Sequence, residues 1–166
     1  MVTAPPGSDP RPIAVLDLDG VLAGVDHRLQ HLRRRPKDWG AFFATMADDP
    51  LLPEGFAVAT ELARRHRIVY LTGRPERYRD VTEQWLRRHD LPDGPVLHRG
   101  DGDGRPARVL KPELVRRLAT TARVAVVVDD DVGVLDALRE GGVTVFHADW
   151  ATSAAVLRDA QAAGET

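Results

Sequence analysis

Two aspartates at the end of an apolar run carry the strongest chemical signal in the chain. Asp17 and Asp19 follow the residues Ile-Ala-Val-Leu, and Gly20 comes directly after them. Residues i and i+2 of a strand lie on one face, so we expect the two carboxylates to be neighbours, with Gly20 letting the backbone turn beyond them. Neighbouring carboxylates repel each other, which predicts a hard cation such as Mg²⁺. An ordinary polar turn is the alternative, and it explains one aspartate better than two.

A second candidate site combines a hydroxyl group with an unhindered backbone amide. Thr72 and Gly73 follow another apolar run, and a helix is expected to start soon after them. A hydroxyl and a glycine N–H near a helix start are the parts of an anion site. The alternative is a threonine that caps the helix, and taken alone the pair favours that alternative.

Lys111 is a third candidate because the chain uses arginine for nearly all of its positive charge. Only Lys37 and Lys111 are lysines among 23 lysines and arginines. A lysine at the start of a predicted helix therefore indicates that a compact ammonium group is needed there. A solvated surface lysine is the alternative.

Three consecutive acids, Asp129, Asp130 and Asp131, form the fourth candidate. They follow five small apolar residues, Val124–Val128, which are typical of a strand that is buried on both faces. One of the three can cap the next helix, but capping does not explain the other two. A metal ion accounts better for the surplus of carboxylates.

The elements that position these residues alternate between strands and helices, which predicts a parallel sheet covered on both faces. The apolar patterns predict strands at Ile13–Asp17, Ile68–Leu71, Val96–Leu97, Val124–Val128 and Val143–Phe146. They predict helices at Glu54–His66, Glu76–His89, Lys111–Thr120, Asp131–Glu140 and Thr152–Ala163, and a short amphipathic stretch at Lys37–Met46. Pro112 would then lie in the first turn of its helix, where proline is favoured. The insertion Ala23–Pro53 is too short for a separate cap domain, so we expect no large cap and an open site.

Composition limits the classes of protein that this chain can be. Its 166 residues are 43% hydrophobic, which predicts one domain over residues 12–163 after a flexible, proline-rich tail over residues 1–11. No cysteine is present, which excludes disulfides, thiolate metal sites and cysteine nucleophiles. No apolar run is long enough to span a bilayer, so we expect no membrane partner and a cytoplasmic location. The net charge of -2 gives no global basic field.

The four candidate sites, in this order, resemble the motifs of the haloacid dehalogenase (HAD) superfamily of phosphotransferases. Asp17-Leu-Asp19-Gly matches the first motif, Thr72-Gly73-Arg74 the second, Lys111 the third and Asp129-Asp130 the fourth. The resemblance implies a Rossmann-like three-layer α/β sandwich and a phosphomonoesterase that acts on a phosphorylated substrate.

Further residues narrow the resemblance to the 3′-phosphatase domain of polynucleotide kinase-phosphatases. They are Arg28, Tyr78-Arg79, Thr82-x-x-Trp85 and the spacing Arg99…Asp103-x-Arg105…Lys111, and the similarity runs from Ile13 to Trp150. The chain has no Gly-x-x-x-x-Gly-Lys-Ser/Thr loop, so a P-loop kinase module is not expected. Nucleic-acid 3′-phosphate ends are therefore the substrate that this resemblance implies.

The superfamily resemblance also implies roles for individual residues. Asp17 would be the nucleophile that forms an aspartyl-phosphate, and Asp19 would protonate the leaving oxygen and later activate water. Mg²⁺ would be held by Asp17, by the backbone carbonyl of Asp19, and by Asp129 or Asp130. Of these two we favour Asp130 for direct contact and Asp129 for support. Thr72, the Gly73 amide and Lys111 would hold the oxygens of the transferring phosphoryl group.

Arginines are the candidates for holding the rest of the substrate. A guanidinium group matches phosphate geometry with two hydrogen bonds, so Arg28, Arg74 and Arg105 are candidates for gripping a second phosphate or the substrate backbone. Each could instead be an ordinary surface arginine. An open site would admit the end of a polymer.

Three other functions fit parts of this pattern. A phosphatase of nucleotides or other small phosphometabolites would share every catalytic residue. A phosphorylatable receiver-like signalling module also combines acids, Thr and Lys, but its acidic pair comes first in the chain and its acceptor Asp in the middle. An inactive binding domain would not need the complete set of motifs.

Overall fold

A parallel sheet of five strands forms the centre of the fold, with the strand order β3-β2-β1-β4-β5. The computed structural model describes residues 9–151 and 155–162. The strands are β1 (Ile13–Leu16), β2 (Arg67–Pro75), β3 (Val96–Arg99), β4 (Val124–Asp129) and β5 (Val145–His147). Because β1 lies between β2 and β4, the carboxyl ends of these three strands meet at one edge of the sheet.

Helices cover both faces of the sheet. They are α1 (Trp39–Ala44), α2 (Pro53–Ala63), α3 (Arg79–Arg88), α4 (Ala107–Ala119), α5 (Val132–Glu140) and α6 (Ala155–Ala162). Successive residues of β1 point to opposite faces. Accordingly, Ala14 and Leu16 pack with α2 and α3, whereas Ile13 and Val15 pack with α4 and α5. This three-layer arrangement without a large cap confirms the fold class expected from the sequence.

The segment between β1 and α2 folds as a small helical layer. It contains α1 and two 3-10 helices, Asp26–His31 and Met46–Asp48. Its apolar side chains form a third buried cluster, which includes Leu29, Phe42 and Phe43 together with Leu157 and Ala160 of α6. The insertion and α6 therefore pack against each other at the edge of the sheet where the strands end.

Several predicted boundaries differ from the structure by two or more residues, and two of them bear on the site. β2 continues to Pro75, so Thr72-Gly73-Arg74 lies inside the end of the strand rather than after it. Helix α4 begins at Ala107 rather than at Lys111, and Pro112 lies in its interior. Ala107 and Leu110 are buried in the core, and this packing extends the helix back from Lys111 although Pro112 cannot donate a backbone hydrogen bond.

Parts of the predicted ends lie outside the described residues. These are residues 1–8 of the expected tail and, in the expected C-terminal helix, residues 152–154 and 163. Within the described ranges, no helix is long and apolar enough to cross a membrane.

Candidate active site

Asp17 lies in a buried cluster of acids around one lysine. Its backbone N–H donates to the carbonyl of Val128 at 3.0 Å, so the sheet ladder between β1 and β4 continues to this residue. Lys111 Nζ lies 3.1 Å from Asp17 Oδ2 and 2.6 Å from Asp129 Oδ2. The structure thus brings together the aspartate of the first motif, the lysine of the third and the acids of the fourth.

The same cluster fits a divalent cation. Asp17, Asp129 and Asp130 each place a carboxylate oxygen within 4.8 Å of the others. Both Asp129 oxygens are engaged, Oδ2 by Lys111 and Oδ1 by the Asp131 N–H at 2.9 Å. The one side-chain hydrogen bond found for Asp130 among the described residues uses Oδ2. Oxygen ligands of this kind suit Mg²⁺, and Asp130 has more capacity left for a cation than Asp129.

The protonation of these acids reflects their burial. Burial and the neighbouring acids raise the pKa of Asp17 well above its ordinary value, against the opposing effect of Lys111. Burial, with Asp129 as the next cause, raises the pKa of Asp130 to about 7. Burial lowers the pKa of Lys111, but Asp129 and Asp17 outweigh it, so the lysine stays charged. A bound cation would favour the ionised form of these acids, which is a second reason why the cluster fits one.

Thr72 and Gly73 lie beside this cluster at the end of β2. The Thr72 Oγ1 accepts a hydrogen bond from the Arg74 N–H at 3.1 Å, and the residue is 1% exposed. A Cβ added to Gly73 would lie 2.7 Å from Nε2 of Gln161, a buried residue of α6. The Gln161 side chain of α6 therefore lies directly against the backbone of Gly73, where a larger residue would make it shift.

Asp19 contacts a separate group of charged residues. Gly20 has a φ of 85°, so the chain turns sharply after Asp19, as the sequence predicts. Arg28 Nη2 donates to Asp19 Oδ1 at 2.7 Å, and Arg74 Nε donates to both Asp19 oxygens at 3.1 and 3.2 Å. Burial alone would raise the pKa of Asp19, but the two guanidinium groups outweigh it and hold the pKa well below its ordinary range.

Asp49 holds the two arginines from the other side. Its carboxylate accepts two bonds from Arg28, both at 2.7 Å, and one from Arg74 Nη2 at 2.9 Å. Its backbone carbonyl accepts the indole N–H of Trp85 at 2.8 Å. Two buried arginines are thus shared between two buried carboxylates, an arrangement that satisfies most of the charges.

The positions of Arg28 and Arg74 differ from the expectation that they grip the substrate. Neither residue has exposed surface, and their guanidinium groups face Asp19 and Asp49. The third candidate, Arg105, lies on the surface, where it pairs with Asp103 and Glu113. In this conformation all three arginines contact acids of the protein.

The expectation of an open site is also not met in this conformation. Asp17, Thr72, Lys111 and Asp130 are each at most 5% exposed. The short insertion does lack a cap domain, but α6 packs on it and covers the ends of the strands. Secondary-structure patterns do not show where a terminal helix docks, so this closure could not be predicted from the sequence.

Three residues at the site were missed from the sequence. Asp49 sits in the insertion, outside any recognisable motif, and its role depends on a fold that brings it to Arg28. Arg158 of α6 donates to Asp130 Oδ2 at 2.9 Å, and Gln161 packs at Gly73. Both contacts depend on where α6 packs, which the local sequence does not predict.

Solved structures of HAD-like hydrolases share the fold of this chain. A haloacid dehalogenase-like hydrolase of Streptococcus pneumoniae is 13% identical, with a TM-score of 0.53, 82% of this chain covered and 84% of that one. This likeness shows that the chain has the fold of a HAD-like hydrolase, with the buried acids, Thr72 and Lys111 at the carboxyl edge of its parallel sheet.

The chain belongs to the family of polynucleotide kinase PNKP phosphatase domains, whose family model matches residues 11–151. A chain of the Pnkp1/Rnl/Hen1 RNA repair complex is 24% identical, with a TM-score of 0.68 and 87% of this chain covered. A second structure of a Pnkp1/Rnl/Hen1 complex gives 25% identity, a TM-score of 0.68 and 85% coverage. This chain spans 45% and 46% of the lengths of those two chains. Among curated proteins, none is similar enough in sequence to count as a match.

Proposed function

We propose that this protein is a Mg²⁺-dependent phosphomonoesterase that removes phosphate from nucleic-acid 3′ ends through an aspartyl-phosphate on Asp17. The observation that carries the reaction is the contact of Asp17 with Lys111, beside Thr72 and within reach of Asp129 and Asp130. A nucleophile, a fixed ammonium group and a pair of acids for a cation are the parts that phosphate-ester hydrolysis needs.

The proposed reaction has two steps. An Asp17 oxygen forms a bond to phosphorus while the ester P–O bond breaks, and the leaving oxygen takes a proton from Asp19. Water then attacks the phosphorus of the aspartyl-phosphate and gives its proton to Asp19, which frees inorganic phosphate and restores Asp17. The Thr72 hydroxyl, the Gly73 amide and Lys111 bind the three outer phosphoryl oxygens, whose negative charge they stabilise.

Mg²⁺ would be held by Asp17, the Asp19 carbonyl and Asp130, with Asp129 fixed by Lys111 in a supporting position. When bound, it supplies positive charge that stabilises the transferring phosphoryl group and keeps Asp17 ionised. A HAD-family enzyme of Bacteroides thetaiotaomicron with the same fold was solved as a magnesium complex, with a TM-score of 0.50 and 12% identity.

Asp19 must change its surroundings to act as an acid. Its contacts with Arg28 and Arg74 keep it ionised in this conformation, and an ionised carboxylate has no proton to give. Substrate binding must therefore weaken at least part of these contacts. Because Asp49 can retain both guanidinium groups, the arginines can loosen from Asp19 without becoming unpaired.

Nucleic-acid ends are the proposed substrate for two reasons. The family is that of polynucleotide kinase phosphatase domains, and the two similar chains come from RNA repair complexes. In addition, Arg33, Arg34 and Arg35 are exposed on the insertion, and among the described residues no carboxylate lies within ion-pair distance of them. Three unpaired cations close in sequence to Arg28 suit the phosphates of a nucleic-acid strand.

A small phosphometabolite is the second candidate substrate, and the burial of the site favours it. The two candidates can be separated with one oligonucleotide bearing either a 3′- or a 5′-phosphate, tested beside a panel of nucleotides and sugar phosphates. The proposal predicts the highest kcat/KM for the 3′-phosphate end. A higher kcat/KM for any small phosphate would replace it with the second candidate.

A further inference from the structure

Helix α6 lies outside the residues that the family model matches and contacts the active site at Asp130 and Gly73. The family match ends at residue 151, whereas α6 spans Ala155–Ala162. Leu157 and Ala160 of α6 are buried against the insertion, in the cluster that contains Leu29 and Phe42. The helix is thus anchored on the insertion between β1 and α2, at the edge of the sheet where the site lies.

Two polar side chains of α6 contact the site, one at the acid cluster and one at the end of β2. Arg158 Nη1 donates to Asp130 Oδ2 at 2.9 Å, on the side where the acids gather. Gln161 is buried with its amide nitrogen against Gly73, whose backbone N–H is a proposed phosphoryl donor. With both contacts in place, Asp17 is only 5% exposed.

The ion pair between Arg158 and Asp130 lies where a cation from solvent could reach and replace it. The Arg158 side chain is 28% exposed, and Asp130 and Arg158 line a surface cavity of about 330 Å³ with His147, Asp149 and Ala151. A cation bound at the other Asp130 oxygen would draw on the same negative charge and so weaken the ion pair with Arg158. An eight-residue helix is too short to be stable alone, so α6 depends on such contacts to stay in place.

We propose that α6 is a lid that selects substrates by size and that Arg158 is the residue that holds it closed, through Asp130. This inference rests on the proposed function. Binding of a divalent cation and a phosphate ester displaces Arg158 and Gln161, and α6 moves aside. A large substrate needs this movement more than a small aryl phosphate does.

The test compares Arg158→Gln with Arg158→Lys, which can keep the ion pair, and with Arg139→Gln. Arg139 makes an exposed pair with Asp136 on α5 and serves as the matched control. Calorimetric titration with Mg²⁺ alone should show roughly tenfold tighter binding for Arg158→Gln, the factor equal to about 1.4 kcal/mol for one charged hydrogen bond. Arg158→Lys and the control should stay near wild type.

Activity gives the second readout. For Arg158→Gln, kcat/KM should rise more on a 3′-phosphorylated oligonucleotide than on p-nitrophenyl phosphate. Unchanged Mg²⁺ affinity, or an equal fall of kcat/KM on both substrates, would contradict the lid proposal. Arg158 would then be a structural or substrate-binding residue. If the wild-type protein does not hydrolyse the oligonucleotide but hydrolyses small phosphates, the proposed substrate is wrong. The Mg²⁺ affinities of the variants still test the lid proposal in that case.

Hydrogen exchange of the wild-type protein tests the movement without any variant. Addition of Mg²⁺ with orthovanadate, which resembles a phosphoryl group, should speed amide exchange in the peptide that covers α6. Slower or unchanged exchange in α6 would contradict displacement of the helix.

Discussion

Asp17 and Asp19 are separated by one residue, yet their carboxylates contact different cations. Asp17 faces Lys111, whereas Asp19 faces Arg28 and Arg74. Burial and the neighbouring acids raise the pKa of Asp17 despite Lys111, whereas the two arginines outweigh burial and lower the pKa of Asp19. A nucleophile needs an ionised carboxylate and an acid needs a proton, so both carboxylates must change their surroundings for the proposed reaction. A cation near Asp17 would favour its ionised form, and weaker contacts of the arginines with Asp19 would allow Asp19 to be protonated.

Replacement of Asp17 tests its role as the nucleophile. Asp17→Asn should reduce turnover to the limit of detection while the protein stays folded, because an amide is nearly isosteric with a carboxylate but does not attack phosphorus. Phosphate release from p-nitrophenyl phosphate, with circular dichroism as the check on folding, measures this. Near-normal turnover by the folded variant would rule out the covalent step.

Stability of the cation-free protein should depend on Asp130 and pH. The pKa of Asp130 is raised from 3.8 to about 7, so between these values the folded protein binds more protons than the unfolded chain. Stability therefore falls as pH rises from about 4 to 7. In calorimetry with EDTA, Tm of wild type should drop relative to Asp130→Asn over this range. Parallel curves for the two proteins would show that Asp130 is not perturbed.

Mg²⁺ should reverse this loss of stability. Its addition should raise Tm of wild type more at pH 8 than at pH 5, since the carboxylates must be ionised to bind it. Activity should be absent in excess EDTA. Full activity in EDTA, or an equal rise of Tm for Asp130→Asn, would contradict the assignment of the cation site.

Arg28 should matter for stability, because it is fully buried between Asp19 and Asp49. Arg28→Ala leaves Asp19 with Arg74, and Asp49 with Arg74 and the contact from His27, and should cost about 3–5 kcal/mol of unfolding free energy. Arg64→Ala, which removes an exposed pair with Glu61, should cost less than about 1 kcal/mol. Urea unfolding measures both. If Arg28→Ala loses as little unfolding free energy as the control, Arg28 is not a structural residue, and a role in contacting the substrate is favoured.

Arg33, Arg34 and Arg35 should act on nucleic acid alone. Changing all three to Gln should raise KM for a 3′-phosphorylated oligonucleotide and reduce its dependence on salt, by about 0.7 in log–log slope for each phosphate that the protein no longer neutralises. Turnover of p-nitrophenyl phosphate should not change. The control is the triple change to Gln of Arg116, Arg117 and Arg123, which are exposed near the opposite edge of the sheet. Equal effects of the two triple variants would show only a general charge effect.

The sequence predicted the sheet and its motif residues because both depend on local pattern. Apolar runs marked β1 and β4, and the acids that follow them reach a common edge in any parallel sheet with this strand order. The start of α4 was missed because burial of Ala107 and Leu110 outweighs the effect of Pro112. The burial of Arg28 was missed because it depends on Asp49, whose approach to Arg28 is set by tertiary packing.

The most direct test of the proposed reaction is transfer of the phosphoryl group from substrate to protein. An oligonucleotide with a radiolabelled 3′-phosphate is mixed with excess enzyme and Mg²⁺, quenched in acid within one turnover, and the protein is digested and mapped. The account predicts label on the peptide that contains Asp17, followed by inorganic phosphate, and neither product from Asp17→Asn. Release of labelled phosphate by Asp17→Asn, or label that stays on the oligonucleotide while wild type hydrolyses small phosphates, would contradict it.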